Sequence, residues 1–238
     1  MQGMRLPNMM DNPYYDWSPI DSRPQLSWPH ESRVALCVIV SLESIEWLPP
    51  KEAVLSPSAV RGGPYPEIPE MHEVSYHEYG NRVGIFRVMR ILDKLGIRGT
   101  AAVDAGIATN YSFIVGQCQA RQWEIMGHGL SLSQMITERM SESEEREYIQ
   151  YSLEAVRSAT GQKPKGWVGM DYGESTRTVR LLAEMGVKYV CDWPNDEQPY
   201  LMKVPVGQMV SLPVMLELDD VFTHRMRGVS IMRWARMV

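Results

Sequence analysis

Residues 166–193, GWVGMDYGESTRTVRLLAEMGVKYVCDW, contain one complete strand–helix–strand unit. GWVGM (166–170) reads as a strand, Ser175 as the cap of a helix running through Met185, Gly186 as its end, and VKYVCDW (187–193) as a second strand. A helical crossover of this length joins parallel strands, since a tight turn can join only antiparallel ones. The pattern continues on both sides. VALCVIVS (34–41) is a continuous apolar run rich in β-branched residues, expected as a buried strand. Apolar positions 85, 88, 89, 92 and 95 have helical spacing and are followed by Gly96, a suitable C′ residue. RGTAAVD (98–104) reads as a strand, Tyr111–Arg121 as a helix and WEIMGH (123–128) as a strand. Ser141 and Glu144 form a capping box for a helix whose apolar face is Ile149, Leu153 and Val156 and whose end is Gly161. QMVSLPVM (208–215) is a further strand. About six such units, with no GxGxxG after the first strand, predict a (β/α) barrel rather than a dinucleotide-binding sheet.

Two segments lack this periodicity. Residues 1–32, rich in Pro, Asp, Ser and aromatics, read as an extended arm anchored by Tyr14, Tyr15, Trp17 and Trp28, leaving 33–238 as the barrel domain. Residues 49–78 carry six prolines, Pro49, Pro50, Pro57, Pro64, Pro66 and Pro69, and read as a long functional loop. The 238-residue chain can bury one sizeable core, and 44% hydrophobic with 22% charged residues is ordinary for a globular protein. A net charge of −5 without a Lys/Arg run argues against nucleic acid. No apolar stretch reaches the ~20 residues that span a bilayer, and the N-terminus has no signal-type apolar core. Cys37, Cys118 and Cys191 stand singly, as reduced thiols do. These features predict a cytoplasmic protein.

The reactive side chains fall at strand ends. Glu43 and Glu46 follow the first strand, Asp104 ends the second, His128 ends the third between two glycines, and Asp171 and Glu174 follow the fourth. Asp192 and Trp193 end the fifth, and Glu217, Asp219 and Asp220 follow the sixth. In a barrel all these positions gather on the C-terminal rim, where active sites are built. A carboxylate beside Ile45 and Trp47 is desolvated, which suits Glu43 as a base for water; the alternative for either glutamate is a turn cap. His128 can exchange a proton with substrate or bind metal, and His72 and His77 are the histidines that could complete such a site. Asp192 can orient a catalytic group and Trp193 can wall a pocket.

The stretches EYGNRVGIFRVMRILDKLGI, WEIMGHGLSLS, GWVGMDYGES, LLAEMGVKYVCDWPNDEQPY and SLP…LELDD, with the lead-in YYDWSPIDSRPQLSWPHESRVAL, resemble the polysaccharide deacetylase (NodB-homology) superfamily. The resemblance is to its allantoinase-like, cyclic-amide hydrolase branch. It implies a distorted (β/α)7-type barrel that hydrolyses carbon–nitrogen bonds other than peptide bonds. It also implies a small cyclic amide, ureide or imide as substrate and a homo-oligomer, possibly a tetramer. Metal-dependent relatives carry an aspartate pair after the first strand and two histidines four positions apart; this sequence has Glu43-Ser44 and His128…Leu132. The implied set is therefore Glu43, His128 and Asp192 as catalytic residues, with Glu46, Arg82, Gly169, Asp171 and Trp193 at the substrate. No cofactor is implied; the alternative is a divalent metal such as zinc, weakly held through His128. A Gly-Pro-Gly-like turn after the fourth strand is replaced by Gly169-Met170-Asp171. The resemblance further implies a last, histidine-bearing strand beyond GVSIMRWARMV, so the expected barrel is short of its closing strand. An intracellular N-acetyl-sugar deacetylase and a shortened, non-catalytic relative are the competing readings.

Overall fold

The structure, a computed structural model, describes residues 12–51, 53–57 and 71–237. Residues 1–11 of the arm and 58–70 of the Pro-rich segment lie outside it, with Glu52 and Val238. The described strands are β1 (Ile39–Leu42), β2 (Thr100–Val103), β3 (Glu124–Gly127), β4 (Gly166–Trp167), β5 (Tyr189–Val190), β6 (Tyr200–Met202) and β7 (Met209–Ser211). They form one seven-stranded sheet in the order β1-β2-β3-β4-β5-β7-β6. Every pairing is parallel except that of β6 with β7. The helices are α1 (Met71–Tyr79), α2 (Ile85–Leu95), α3 (Ala105–Asn110), α4 (Ser112–Ala120), α5 (Glu142–Thr160), α6 (Thr178–Glu184) and α7 (Ile231–Trp234). The fold is the expected α/β type, a distorted barrel of parallel units, with β1 and β6 as unjoined edges among the described residues.

Alternation along the strands separates two layers of packing, because successive side chains point to opposite faces. In β2, Ala101 and Val103 face outward into a core with Ile85, Met89 and Leu92 of α2 and Val115 and Cys118 of α4. Ala102 faces inward with Met126, Val168 and Cys191, small or unbranched side chains that fit a narrow barrel interior. A second outer core places Trp167, fully buried, among Ile149 and Leu153 of α5 and Leu181 and Leu182 of α6. The arm covers the β6 edge: Tyr15 bridges Met202, the Tyr14 carbonyl accepts from Lys203 N at 2.6 Å, and Arg23 pairs with Asp196 at 2.5 Å. Tyr14 and Tyr15 stack on Trp193 with centroids at 5.1 and 6.0 Å, whereas Trp17 is 60% exposed and anchors nothing.

The structure corrects several sequence expectations. The run 34–41 is a strand only from Ile39; Val34 and Leu36 are exposed, because residues this early have no strand beside them to pair with among the described residues. The segment 49–78 is not loop throughout. Helix α1 begins at Met71 and runs through a wider π turn (Gly80–Gly84) into α2, with Val74, Asn81 and Ile85 as its buried side. The helix expected from Tyr111 is preceded by a separate short one, α3, because Asp104 caps it through Ile107 N at 2.7 Å. Ser175 lies in the turn before α6, whose first residue is Thr178 and whose N-cap is Arg177; its hydroxyl accepts from Arg177 N at 3.0 Å and donates to Glu145 at 2.6 Å. The antiparallel β6 has no signal in the sequence, since YLMKV between prolines carries no alternation. The capping box at Ser141 and Glu144 and the left-handed Gly96 and Gly161 are present as expected.

Glu145 is the polar counterpart of these cores. Fully buried on α5, it accepts from Ser175 Oγ at 2.6 Å and Thr178 Oγ1 at 2.5 Å, and pairs with Arg177 at 3.1 Å. These bonds fix the chain that leaves the β4 end. Replacing Glu145 with Ala strands these donors in a dry site, a loss on the order of 3–5 kcal/mol. The expected result is a clear fall in the urea midpoint of Glu145→Ala; a midpoint within error of the parent protein would contradict this account.

Candidate active site

Because β1 to β5 and β7 are parallel, their C-terminal ends lie on one side, and the rim is assembled from the residue or two after each strand. His128, directly after β3, is its centre. It is 3% exposed, and both ring nitrogens face oxygens: Nδ1 lies 2.8 Å from the Val168 carbonyl after β4, and Nε2 lies 3.1 Å from Glu43 Oε1 after β1. A carbonyl can only accept, so Nδ1 carries hydrogen, and Nε2 shares a proton with Glu43. Burial alone would disfavour the imidazolium. The Glu43 hydrogen bond and charge, the Val168 carbonyl and the Asp104 charge together outweigh it, so the proton affinity of His128 is raised. Glu43 is the outer member of the pair, its side chain 28% exposed.

The backbone around His128 admits little else. Gly129 has φ +85°, and a Cβ there would run into the Tyr148 hydroxyl, which donates to Gln134 O at 2.6 Å and accepts from Leu130 N at 3.0 Å. At the β1 end, Leu132 N donates to Ser44 O at 2.8 Å. Ser44 in turn donates to Asp104 from N at 2.6 Å and from its hydroxyl at 2.9 Å. Gly106 passes so close to the Ser44 hydroxyl that no Cβ fits. Asp104 is fully buried, and burial pushes its carboxyl up to about 7 against the hydrogen bonds of Ser44 and Ile107 and the charge of His128.

Glu46 accepts from Ser133 Oγ at 2.6 Å, Ser131 Oγ at 3.2 Å and Gln134 Nε2 at 2.9 Å, so its carboxylate clamps the β1 loop to the β3 loop. Asn81 reaches Glu43 O at 3.0 Å, while Arg82 beside it stays exposed. Asp171, at φ +48°, accepts from Ser56 of the Pro-rich segment. Gly169 N donates to Asp192 Oδ1 at 2.7 Å, and Trp193 Nε1 donates to Glu174 at 2.8 Å. Asp219 takes the Tyr172 hydroxyl at 2.5 Å. The site therefore joins Glu43, His128, Gly169, Asp192 and Trp193 directly or through one intervening group. It leaves Arg82 exposed and gives Glu46 to a clamp. The Ser131, Ser133 and Gln134 donors and the Glu174 carboxyl also belong to it, and sequence reasoning misses those roles because serines in a loop carry no distinguishing spacing.

The residues do not fit a divalent metal. No group of three His, Cys, Asp or Glu capable of holding one occurs among the described residues, so His72 and His77 do not join His128 in a ligand set. Leu132, at the second histidine position, is 1% exposed and packs on Met170. A catalytic zinc normally keeps three protein ligands, and His128 already spends both nitrogens.

Asp104 supplies a test of this electrostatic picture. Its native carboxyl is raised above its unfolded value, so the native state holds a proton that the unfolded chain releases. That stability is present below about pH 4 and is lost as pH rises toward about 7. Asp104→Asn removes the dependence. Its urea-derived stability relative to the parent is expected to improve by on the order of 1–3 kcal/mol between pH 4.5 and 7.5; an unchanged difference at the two pH values would refute the assignment.

Comparison with known proteins places these features. Residues 77–190 match the family model described as polysaccharide deacetylase. A Schizosaccharomyces pombe (strain 972 / ATCC 24843) protein that carries the provisional name polysaccharide deacetylase is 23% identical over 224 residues, covering 85% of this chain and 68% of its own. The chain thus spans about two thirds of that relative. A crystal structure of a probable polysaccharide deacetylase from Pseudomonas aeruginosa PAO1 matches with TM-score 0.73 and 25% identity, over 88% of this chain and 71% of that one. The crystal structure of Puue allantoinase matches with TM-score 0.69 and 25% identity, over 88% of this chain and 75% of that one.

Proposed function

Since the chain belongs to the polysaccharide deacetylase superfamily, we propose that it hydrolyses a carbon–nitrogen bond other than a peptide bond, in a small cyclic amide, ureide or imide, without a divalent metal. The observation that carries the reading is the His128–Glu43 pair at 3.1 Å on the rim, in a site where the second histidine position is an apolar Leu132. The likeness to an allantoinase supports the ring amide as substrate class. Fold likeness alone does not choose between ring amides and N-acetyl sugars, so both enter the test.

Burial decides the division of labour. Glu43, the exposed partner, takes the proton of a water that attacks the ring carbonyl carbon. The carbonyl π electrons move to oxygen, giving a tetrahedral anion near the His128 charge. Collapse of that anion breaks the carbon–nitrogen bond, and Glu43 returns its proton to the leaving nitrogen. The product is one ring-opened molecule that carries a carboxylic acid at the former ring carbonyl and an amine or amide at the former ring nitrogen, and Glu43 is regenerated as a carboxylate. His128, held from behind by Val168 O, keeps Glu43 aimed and supplies positive charge. Asp192 orients the Gly169 amide and adds a negative charge near His128. Asp171, Arg82 and Trp193 shape the mouth.

The test is hydrolysis of allantoin, hydantoin and succinimide beside N-acetyl sugars, with and without chelator. One ring amide is expected to open at a chelator-resistant rate. Glu43→Gln and His128→Asn should each lower that rate by about 10²–10⁴-fold while the protein stays folded. Loss of turnover with chelator and recovery on adding divalent metal would establish a metal-dependent deacetylase instead. A folded protein silent across the panel would overturn the hydrolase reading.

A further inference from the structure

Two carboxyls stand together beside the site, and among the described residues neither is in a salt bridge with a Lys or Arg. Asp192 spends Oδ1 on Gly169 N at 2.7 Å, and Glu174 spends Oε2 on Trp193 Nε1 at 2.8 Å. Their remaining oxygens, Asp192 Oδ2 and Glu174 Oε1, are buried and have no hydrogen-bond donor among the described residues. Asp192 and Trp193 are consecutive, and Gly169 and Glu174 bracket the Met170–Gly173 strap, so the two bonds cross-link the same pair of segments. The two carboxyls lie within hydrogen-bonding reach of one another. Two buried carboxylates cannot both stay charged at such a place, and a buried acceptor without a donor is costly.

We propose that Glu174 is a positioning residue: its Oε1 carries the one proton shared by the pair and donates it to Asp192 Oδ2, holding Asp192 as the anion that grips the Gly169 amide. One proton satisfies both orphaned oxygens, with Glu174 as the acid and Asp192 as the base. Burial first, and then the neighbouring Asp192, push the Glu174 carboxyl well above its ordinary range. Burial pushes Asp192 up to about 6, while the bonds from Glu174 and Gly169 and the His128 charge hold it down. This split is that of a pair with a single proton. The other ionisable groups facing the pair are His128 after β3, Glu145 on α5 (already paired with Arg177), Tyr172 on the strap and the buried Cys191 thiol beside Asp192. None of them donates to the two orphaned oxygens: His128 faces Val168 O and Glu43, Tyr172 gives its hydroxyl to Asp219, Glu145 is held by Arg177, and the Cys191 thiol makes no hydrogen bond to either oxygen. The strap that carries Asp171 and Tyr172 is thereby fixed over the β5 end, and Asp192 remains a single negative charge near His128. That consequence for catalysis rests on the hydrolase reading above; the shared proton does not.

The experiment is a carboxyl ¹³C and indole ¹H–¹⁵N NMR titration of the full chain, with Trp193 assigned through Trp193→Phe. It needs no substrate, so its outcome is independent of whether the hydrolase reading holds. Glu174 is expected to remain protonated through pH 7, with the Trp193 indole signal moving only when Glu174 ionises. Asp192→Asn, which offers a neutral amide donor, should lower the Glu174 midpoint by at least one pH unit, a tenfold change in proton affinity. Glu174→Gln keeps a donor toward Asp192 and should leave the Asp192 midpoint nearly in place, whereas Glu174→Leu should raise it by at least one unit. Glu174 and Asp192 titrating independently at ordinary carboxyl values, or a Glu174 midpoint indifferent to Asp192→Asn, would overturn the proposal. Native spectra of the near-isosteric Asn and Gln variants separate these outcomes from simple misfolding.

Discussion

A buried imidazole with an oxygen at each nitrogen is the constraint around which the rim is organised. His128 leaves water at the end of β3, and its ring is stable there only if both nitrogens find partners. Those partners come from the neighbours on either hand: the Val168 carbonyl from β4 and the Glu43 carboxylate from β1, with the Asp104 and Asp192 charges from β2 and β5. Groups after four other strands thus act on one ring, two by contact and two by charge. The close packing of Gly129 on Tyr148 and of Gly106 on Ser44 follows from it, because a shift of either segment would move the ring away from its partners.

The rest of the site is held by hydrogen bonds between loops. Glu46 gathers Ser131, Ser133 and Gln134, and Asp104 gathers Ser44 and the first turn of α3. Glu145 gathers Ser175, Thr178 and Arg177 on the far side. Each buried carboxylate has its donors from a different element from its own, so each acts as a cross-link as well as a charge. Leu132 belongs to the same arrangement: its side chain fills an apolar niche with Met170 while its backbone N–H bonds Ser44. Water or an ion at that place would face hydrocarbon.

Much of this is legible in the chain itself. The alternation of apolar runs with helical spacings specifies parallel units, and parallel strands put Glu43, His128 and Asp192 on one rim without further information. The capping box at Ser141 is equally plain, since it depends on residues three apart. The departures are local. The apolar run 34–41 pairs only at its end, and α1 begins where Tyr, His and Glu dominate and only Val74 shows the core side. Ser175 resembles a cap by type and does accept from Arg177 N, but α6 starts later, at Thr178, and the Ser175 hydroxyl is also tied to Glu145, thirty residues earlier in the chain.

The division has a physical origin. Period, charge and residue type are local properties, and they suffice for the class of fold and the side of the sheet that bears the reactive groups, whereas Leu132 at the position of a second histidine is what the family resemblance implies. Which nitrogen of His128 faces which oxygen, which glutamate reaches the imidazole and which becomes a clamp, and which two carboxyls leave an oxygen without a donor among the described residues are pairings between segments distant in the chain. Such pairings depend on burial and on distances of about 3 Å, and these exist only once the strands have been laid side by side.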